Sequence, residues 1–207
     1  MKDSSLNTYN SLLVETNKAF NLTAHKTLER SWIFNVQDSL LFNDEIRKFF
    51  KENADVIDLG SGSGSPSIPL KISFPHANFV LIDSTLKKIK FLQSVIDELK
   101  LESTMAVHAR IEDYTREKCL ETGENLHKES FDIVTARAVA PLNELVKLAM
   151  PLLKKGGVLL AYKGPNYQDE IKAAKHIMTR LRAKVVDVIE KNLDPDTKRI
   201  MLVIKKN

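Results

Sequence analysis

Apolar positions follow two different rhythms along this chain. Through about residue 51 they recur at helical intervals. Tyr9, Leu12, Leu13 and Phe20 share one face, and Ile33, Val36 and Leu40 form an i, i+3, i+7 stripe. The polar break Asn21-Leu22-Thr23 separates the two stripes. From Ala54 onward, short β-branched runs alternate with helical stretches. Ala54–Leu59, Phe79–Ile82, Met105–His108, Phe131–Thr135 and Val158–Tyr162 read as five strands. A helix should begin near Pro66, a residue suited to a first helical turn. Ile89, Leu92, Ile96 and Leu99 line another helix, and Ile171, Ala174, Met178 and Leu181 line a late one. Leu142, Leu145, Val146 and Ala149 line a helix expected to stop near Lys155-Gly156-Gly157. Two alternating strands, Val185–Ile189 and Ile200–Ile204, close the chain around a turn at Asp194-Pro195-Asp196.

Strands alternating with helices imply a parallel sheet covered on both faces. Two final strands with no helix between them imply an antiparallel hairpin at one edge. The expected fold is therefore α/β and Rossmann-like. A seven-stranded, mostly parallel sheet with a C-terminal antiparallel hairpin occupies residues 52–207, preceded by a helical N-terminal cap over residues 1–51.

Composition narrows the function classes. Hydrophobic content of 43% and charged content of 28% describe an ordinary globular chain. One cysteine, Cys119, excludes an internal disulfide and suits a reducing cytoplasm. Residues 1–10 lack the apolar core of a secretory signal, and no apolar run approaches the ~20 residues of a membrane span. The reading is a cytoplasmic protein with no membrane partner, monomeric by default. Net charge is +4, and its distribution is uneven. From Pro151 to Asn207 there are 13 Lys/Arg against 6 Asp/Glu. That surplus suits a polyanionic partner, and equally suits solvated lysines on surface helices.

The sharpest motif is Asp58-Leu59-Gly60-Ser61-Gly62-Ser63-Gly64, directly after the first strand. Glycines at a strand-to-helix turn let backbone approach a ligand closely, although they also make a plain tight turn. The dinucleotide fingerprint G-x-G-x-x-G would need its third glycine at position 65, where Ser65 stands. S-adenosylmethionine (AdoMet) carries no pyrophosphate, so a loop spaced G-x-G-x-G suits it. Asp58 at the strand end is placed to accept from the ligand's ammonium. Asp83 closes the second strand and fits hydrogen bonding to ribose hydroxyls, or a helix N-cap. Ile111-Glu112-Asp113 follows the third strand, where an acid accepts from an adenine amine and Ile111 packs on the ring. Each element alone is weak. Their combination at successive strand ends carries the weight, because open α/β sheets bind ligands there.

At this point the chain resembles a specific family, the bacterial small-subunit (16S) ribosomal RNA guanine-N7 methyltransferases (RsmG, also called GidB). The carriers are Asn17-Lys18-Ala19-Phe20-Asn21-Leu22-Thr23, Gln37-Asp38-Ser39-Leu40, the loop from Asp58 to Leu70, and Leu81-Ile82-Asp83-Ser84. Ala109-Arg110-Ile111-Glu112, Ala136-Arg137-Ala138 and Lys163-Gly164 complete them. The resemblance implies a class I methyltransferase fold, AdoMet as cofactor, and small-subunit rRNA or the small ribosomal subunit as partner. It implies cofactor contacts at Gly60, Ser65, Ile111, Glu112 and Arg137, with Asp83 on the ribose; Gly62 belongs to the same loop. The chain departs from the family pattern at Asn35, Ser63 and Ser67, where the family usually has His, Pro and Gly.

Guanine N7 bears a lone pair and no proton, so its methylation requires no general base, and none is evident. The place after the fourth strand, where amine methylation commonly uses Asn/Asp-Pro-Pro-Tyr/Phe, holds Thr135-Ala136-Arg137-Ala138-Val139-Ala140-Pro141. Cytosine C5 transfer needs a nucleophilic thiol, and Cys119 lies away from the expected strand ends. Arg137 and Lys163, ending the fourth and fifth strands, are placed to donate to guanine O6 or to phosphate, although Lys163 also reads as a surface lysine. Lys87, Lys88, Lys90, Lys172, Lys175, Arg180 and Arg182 are candidates for RNA backbone contact. The five histidines show no ligand spacing, so no metal is expected. Trp32 reads as core rather than as a base-stacking platform. Three alternatives stay open: an NAD-dependent oxidoreductase, a methyltransferase for another RNA or a small molecule, and a non-catalytic RNA-binding module.

Overall fold

The computed structural model describes residues 2–118 and 125–207; Cys119 lies outside them. Helices come first: α1 (Lys2–Phe20), α2 (Leu28–Ser31), a π-helical turn (Trp32–Gln37), α3 (Asp38–Leu40) and α4 (Asn43–Ile46). The alternating part follows as β1 (Asp55–Leu59), α5 (Ser67–Ser73), β2 (Asn78–Asp83), α6 (Leu86–Glu98), β3 (Thr104–His108) and α7 (Ile111–Tyr114). It continues through β4 (Phe131–Arg137), α8 (Leu142–Ala149), β5 (Leu153–Lys163) and α9 (Tyr167–Arg180) to the hairpin β6 (Ala183–Asp194) and β7 (Thr197–Lys206).

The seven strands lie in the order β3-β2-β1-β4-β5-β7-β6. All neighbours are parallel except β7, which runs antiparallel to both β5 and β6. Successive residues of a strand point to opposite faces, and the core divides accordingly. Val158, Leu160 and Tyr162 of β5 face α1, α5 and α6, whereas Leu159 and Ala161 face α8 and α9. Leu6, Tyr9 and Leu13 of α1 join the first of these clusters, so the N-terminal helices share one core with the sheet. Trp32 is partly buried against the same cluster.

Three details differ from the sequence expectation. Phe20 leaves the stripe of α1 and is 53% exposed, because the helix ends there. Asn17 takes over the closure instead. Its Nδ2 donates to the Thr23 carbonyl at 3.0 Å and its Oδ1 accepts from the Thr23 N–H at 2.9 Å. Both ends of one amide thus satisfy the backbone across the Asn21-Leu22-Thr23 break and seat Leu22 in the core.

The second difference is at Lys155-Gly156-Gly157, which does not end a helix. α8 stops at Ala149, just before Met150-Pro151, since proline cannot continue the hydrogen-bond ladder. The tripeptide lies inside β5, where pairing with β4 jumps from Phe131↔Leu153 to Ile133↔Val158. Gly156 has φ +80°, and a Cβ on Gly157 would fall 2.9 Å from the Asp132 carbonyl oxygen. A bulge explains the glycines.

The third is the π-helical turn. In place of continuous α-helix, the wider turn lets the Asn35 carbonyl accept from Ser39 Oγ at 2.6 Å and from Ser65 Oγ at 2.9 Å. The second of these bonds ties the N-terminal helices to the loop after β1.

Candidate active site

β1 and β4 are neighbours whose following connections leave in opposite directions along the sheet, the arrangement that opens a crevice at the carboxyl ends of parallel strands. Two cavities occupy this edge. The narrower cleft, about 350 Å³, is lined by Gly60 after β1, Asp83 at the end of β2, Ile111 and Glu112 after β3, and Val139 after β4. The larger cavity, about 760 Å³, is lined by Phe34, Asp38, Arg137, Lys163, Glu170 and Arg199 among others. Ala138, Val139 and Ala140 line both.

Gly60 sits at φ +65°, and a Cβ there would meet Val139 Cγ2 at 3.0 Å. The position needs glycine for its backbone and for its close approach to the cleft wall. Asp83 holds the loop in register. Its Oδ2 accepts from the Gly62 N–H at 3.0 Å and its Oδ1 from the Thr85 N–H at 2.8 Å, with Lys88 Nζ 3.5 Å away. Oδ1, with one partner, keeps a lone pair for a further donor. Lys88 is thereby engaged at the cleft, whereas Lys87, Lys90, Lys172, Lys175, Arg180 and Arg182 are exposed.

Asp58, Gly62 and Ser65 hold the loop and do not line the cleft. The Asp58 carboxylate is buried beneath it, accepting from Thr135 Oγ1 at 2.7 Å and Ser67 Oγ at 2.8 Å. Burial outweighs these hydrogen bonds and raises its pKa from 3.8 to about 6. Ser65 Oγ is taken up by the Asn35 carbonyl and approaches the Tyr9 hydroxyl at 3.3 Å. Tyr9 in turn donates to the Ser63 carbonyl at 2.9 Å, and burial pushes its phenol up to about 12.

Arg137 lies in the larger cavity and not in the cleft. It donates to the Phe34 carbonyl at 2.8 Å and approaches Asp38 Oδ2 at 3.4 Å. The same Asp38 carboxylate accepts from Arg199 Nε at 2.9 and 3.0 Å. Lys163 Nζ donates to the Ala140 carbonyl at 2.9 Å and pairs with Glu170 Oε2 at 2.6 Å. Of these partners, Asp38 belongs to a quoted motif but had no role, while Arg199 and Glu170 had no signal at all.

Residues 2–200 match the family described as rRNA small subunit methyltransferase G. The chain belongs to that family. A rRNA small subunit methyltransferase G from Lactobacillus johnsonii is 39% identical over 200 residues, covering 96% of this chain and 81% of the relative. One from Thermotoga sp. strain RQ2 is 40% identical over 188 residues, covering 90% and 76%. Among solved structures, TYW2 of M. jannaschii in complex with AdoMet superposes with TM-score 0.59 at 17% identity, over 80% of this chain and 76% of that one. A precorrin-6y C5,15-methyltransferase from Geobacter metallireducens gives 0.60 at 15% identity, over 91% and 92%. These two likenesses establish the fold. The Ser67 hydroxyl gives Asp58 a hydrogen bond that the glycine expected there from the resemblance would not. Ser63 contributes through its carbonyl, and Asn35 through the carbonyl already described.

Proposed function

We propose that this methyltransferase transfers the methyl group of AdoMet to N7 of one guanine in small-subunit (16S) ribosomal RNA. The observation that carries the reading is the pairing of two cavities across one shared segment. The cleft gathers Gly60, Asp83, Ile111 and Glu112 from three successive strand ends, and it shares Ala138, Val139 and Ala140 with the lining of the larger cavity.

The cleft's chemistry fits AdoMet. In this reading Asp83 accepts from the ribose hydroxyls and Glu112 from the adenine amine, and Ile111 and Val139, which line the same cleft, pack on the ring. Asp58, Gly62 and Ser65 act from beneath by fixing the loop. AdoMet supplies a methyl group made electrophilic by its sulfonium. Guanine N7 needs no deprotonation, so the protein's task is to align the base and exclude water. Arg137 and Lys163 serve the substrate side, Lys163 toward guanine O6 and Arg137 by shaping the cavity wall with Asp38. Exposed Lys87, Lys90, Lys172, Lys175, Arg180 and Arg182 meet the RNA backbone. We place the protein in the cytoplasm as a monomer, with residues 1–51 forming the cap of a methyltransferase domain at 52–207. Among the described residues no helix is long and apolar enough to cross a membrane.

Calorimetric titration with AdoMet and with NAD tests the cofactor side. AdoMet should bind and NAD should not. Asp83→Ala should weaken AdoMet by about tenfold or more, the worth of a charge-assisted hydrogen bond. Tighter binding of NAD than of AdoMet would overturn the assignment.

A further inference from the structure

The larger cavity presents two walls of different chemistry. One is aromatic. His25 and Phe34 stack with centroids 4.5 Å apart and planes 14° from parallel. Burial, with Arg30 and Arg137 nearby, lowers the His25 pKa below its ordinary value, which favours the uncharged ring. The other wall is the Lys163–Glu170 pair. Two of the three Lys163 donors go to the Ala140 carbonyl and to Glu170 Oε2. Glu170 Oε2 also accepts the Leu142 N–H at 2.8 Å, which fixes the carboxylate against the start of α8. Its Oε1 takes no hydrogen bond from the described residues. A free donor therefore stands beside a free acceptor, on rigid elements, at the wall of a cavity next to the cofactor cleft.

Guanine carries the complementary pattern on adjacent atoms. Its O6 accepts, while N1–H and the N2 amino group donate. Adenine reverses the first two, with a donor at N6 and an acceptor at N1, and would set like against like at this wall. Unstacked RNA bases are read in this manner, by an aromatic surface and by hydrogen bonds to their edges. We propose that Glu170 is the residue that selects guanine, its Oε1 accepting N1–H and N2–H while Lys163 donates to O6. The base packs beside the His25–Phe34 stack and turns N7 toward the Ala138–Ala140 segment. The inference rests on the guanine-N7 reading above and adds the residue that would enforce it.

The test compares two small-subunit substrates that differ at one atom group. The guanosine labelled by the wild-type enzyme is kept, or replaced by inosine through splinted ligation before reassembly; inosine lacks only the N2 amino group. Single-turnover methyl transfer by the wild type should be about tenfold or more slower on inosine, in line with the worth of a paired edge contact. Glu170→Gln keeps its carbonyl oxygen on the Lys163 and Leu142 donors and so turns its NH2, a donor, toward the N1–H. Its rate on guanosine should fall to about the inosine level and its preference should vanish, with AdoMet affinity within about twofold of wild type. Glu170→Asp retains the charge but withdraws the acceptor by one methylene, and should lose the preference too even if Glu170→Gln proves unstable. A guanosine preference undiminished in these variants overturns the role of Glu170 while leaving the function intact. Absence of label on any guanine with the wild type overturns the underlying reading and this inference with it.

Discussion

Asp38 is the most consequential side chain whose role only the structure reveals, and removing it gives a quantitative test. Its carboxylate, 5% exposed, accepts twice from Arg199 Nε and lies 3.4 Å from Arg137. These contacts bind the N-terminal helices to the ends of β4 and β7 across 99 and 161 residues of sequence. Asp38→Ala leaves two guanidinium groups without a counter-charge. Breaking a fully buried pair by deleting one partner costs about 3–5 kcal/mol. Here the arginine side chains keep 22% and 27% exposure, so water recovers part of that loss. About 2–3 kcal/mol is expected, or a fall in Tm of roughly 5–10 °C for a chain this size. Urea unfolding followed by circular dichroism reads the value, with an unchanged m confirming that the two-state comparison holds. Methyl transfer should drop more than AdoMet affinity, because Asp38 and Arg137 line the larger cavity and not the cleft. A double-mutant cycle with Arg199→Ala should give a coupling of about 1 kcal/mol or more. If Asp38→Ala costs less than about 0.5 kcal/mol, the trio behaves as solvated surface charge and the reasoning fails.

Two further outcomes follow from the same site. Because the folded pKa of Asp58 is raised from 3.8 to about 6, the folded state binds its proton more tightly than the unfolded state, and stability is lost as pH rises through that window. Relative to the wild type, Asp58→Asn should therefore gain roughly 2–3 kcal/mol between pH 4 and 7, since Thr135 and Ser67 hydroxyls can turn to suit an amide; a pH-independent difference would contradict the burial argument. Binding to small-subunit RNA should weaken steeply with added salt, as phosphate neutralisation by exposed lysines and arginines requires, and a flat profile in filter binding would remove the RNA backbone from the account.

Much of this architecture was legible in residue order because strands and helices announce themselves locally. The alternation from Ala54, the closing hairpin and the glycine loop all depend on spacing within a few residues. Gly60, Asp83, Ile111 and Glu112 converge because each lies at or just after a strand end, and parallel strands bring their ends to one edge. What remained hidden is pairing at a distance. Nothing in the helical stripe of residues 33–40 indicates a π turn, or that the Asn35 carbonyl meets Ser65. Arg137 was legible as a strand-end residue, yet the side of the shared segment on which it lies depends on Asp38 and Phe34, far away in sequence. Glu170 is one of two acids in the first turn of α9, a placement that carries no signal of its own. Its position against Lys163 and Leu142 exists only in the folded chain. Lys155-Gly156-Gly157 misled for a related reason: a glycine pair after a helix reads as a stop, whereas the strand had already begun.

The most direct measurement incubates the protein with labelled AdoMet and small ribosomal subunits that lack N7-methylguanine, then maps the label by chemical cleavage at N7-methylguanine. The account predicts label at one guanine of the small-subunit RNA. No label on the subunits or on stripped RNA, with AdoMet binding intact, would contradict it and send the same fold and cofactor cleft to a different substrate.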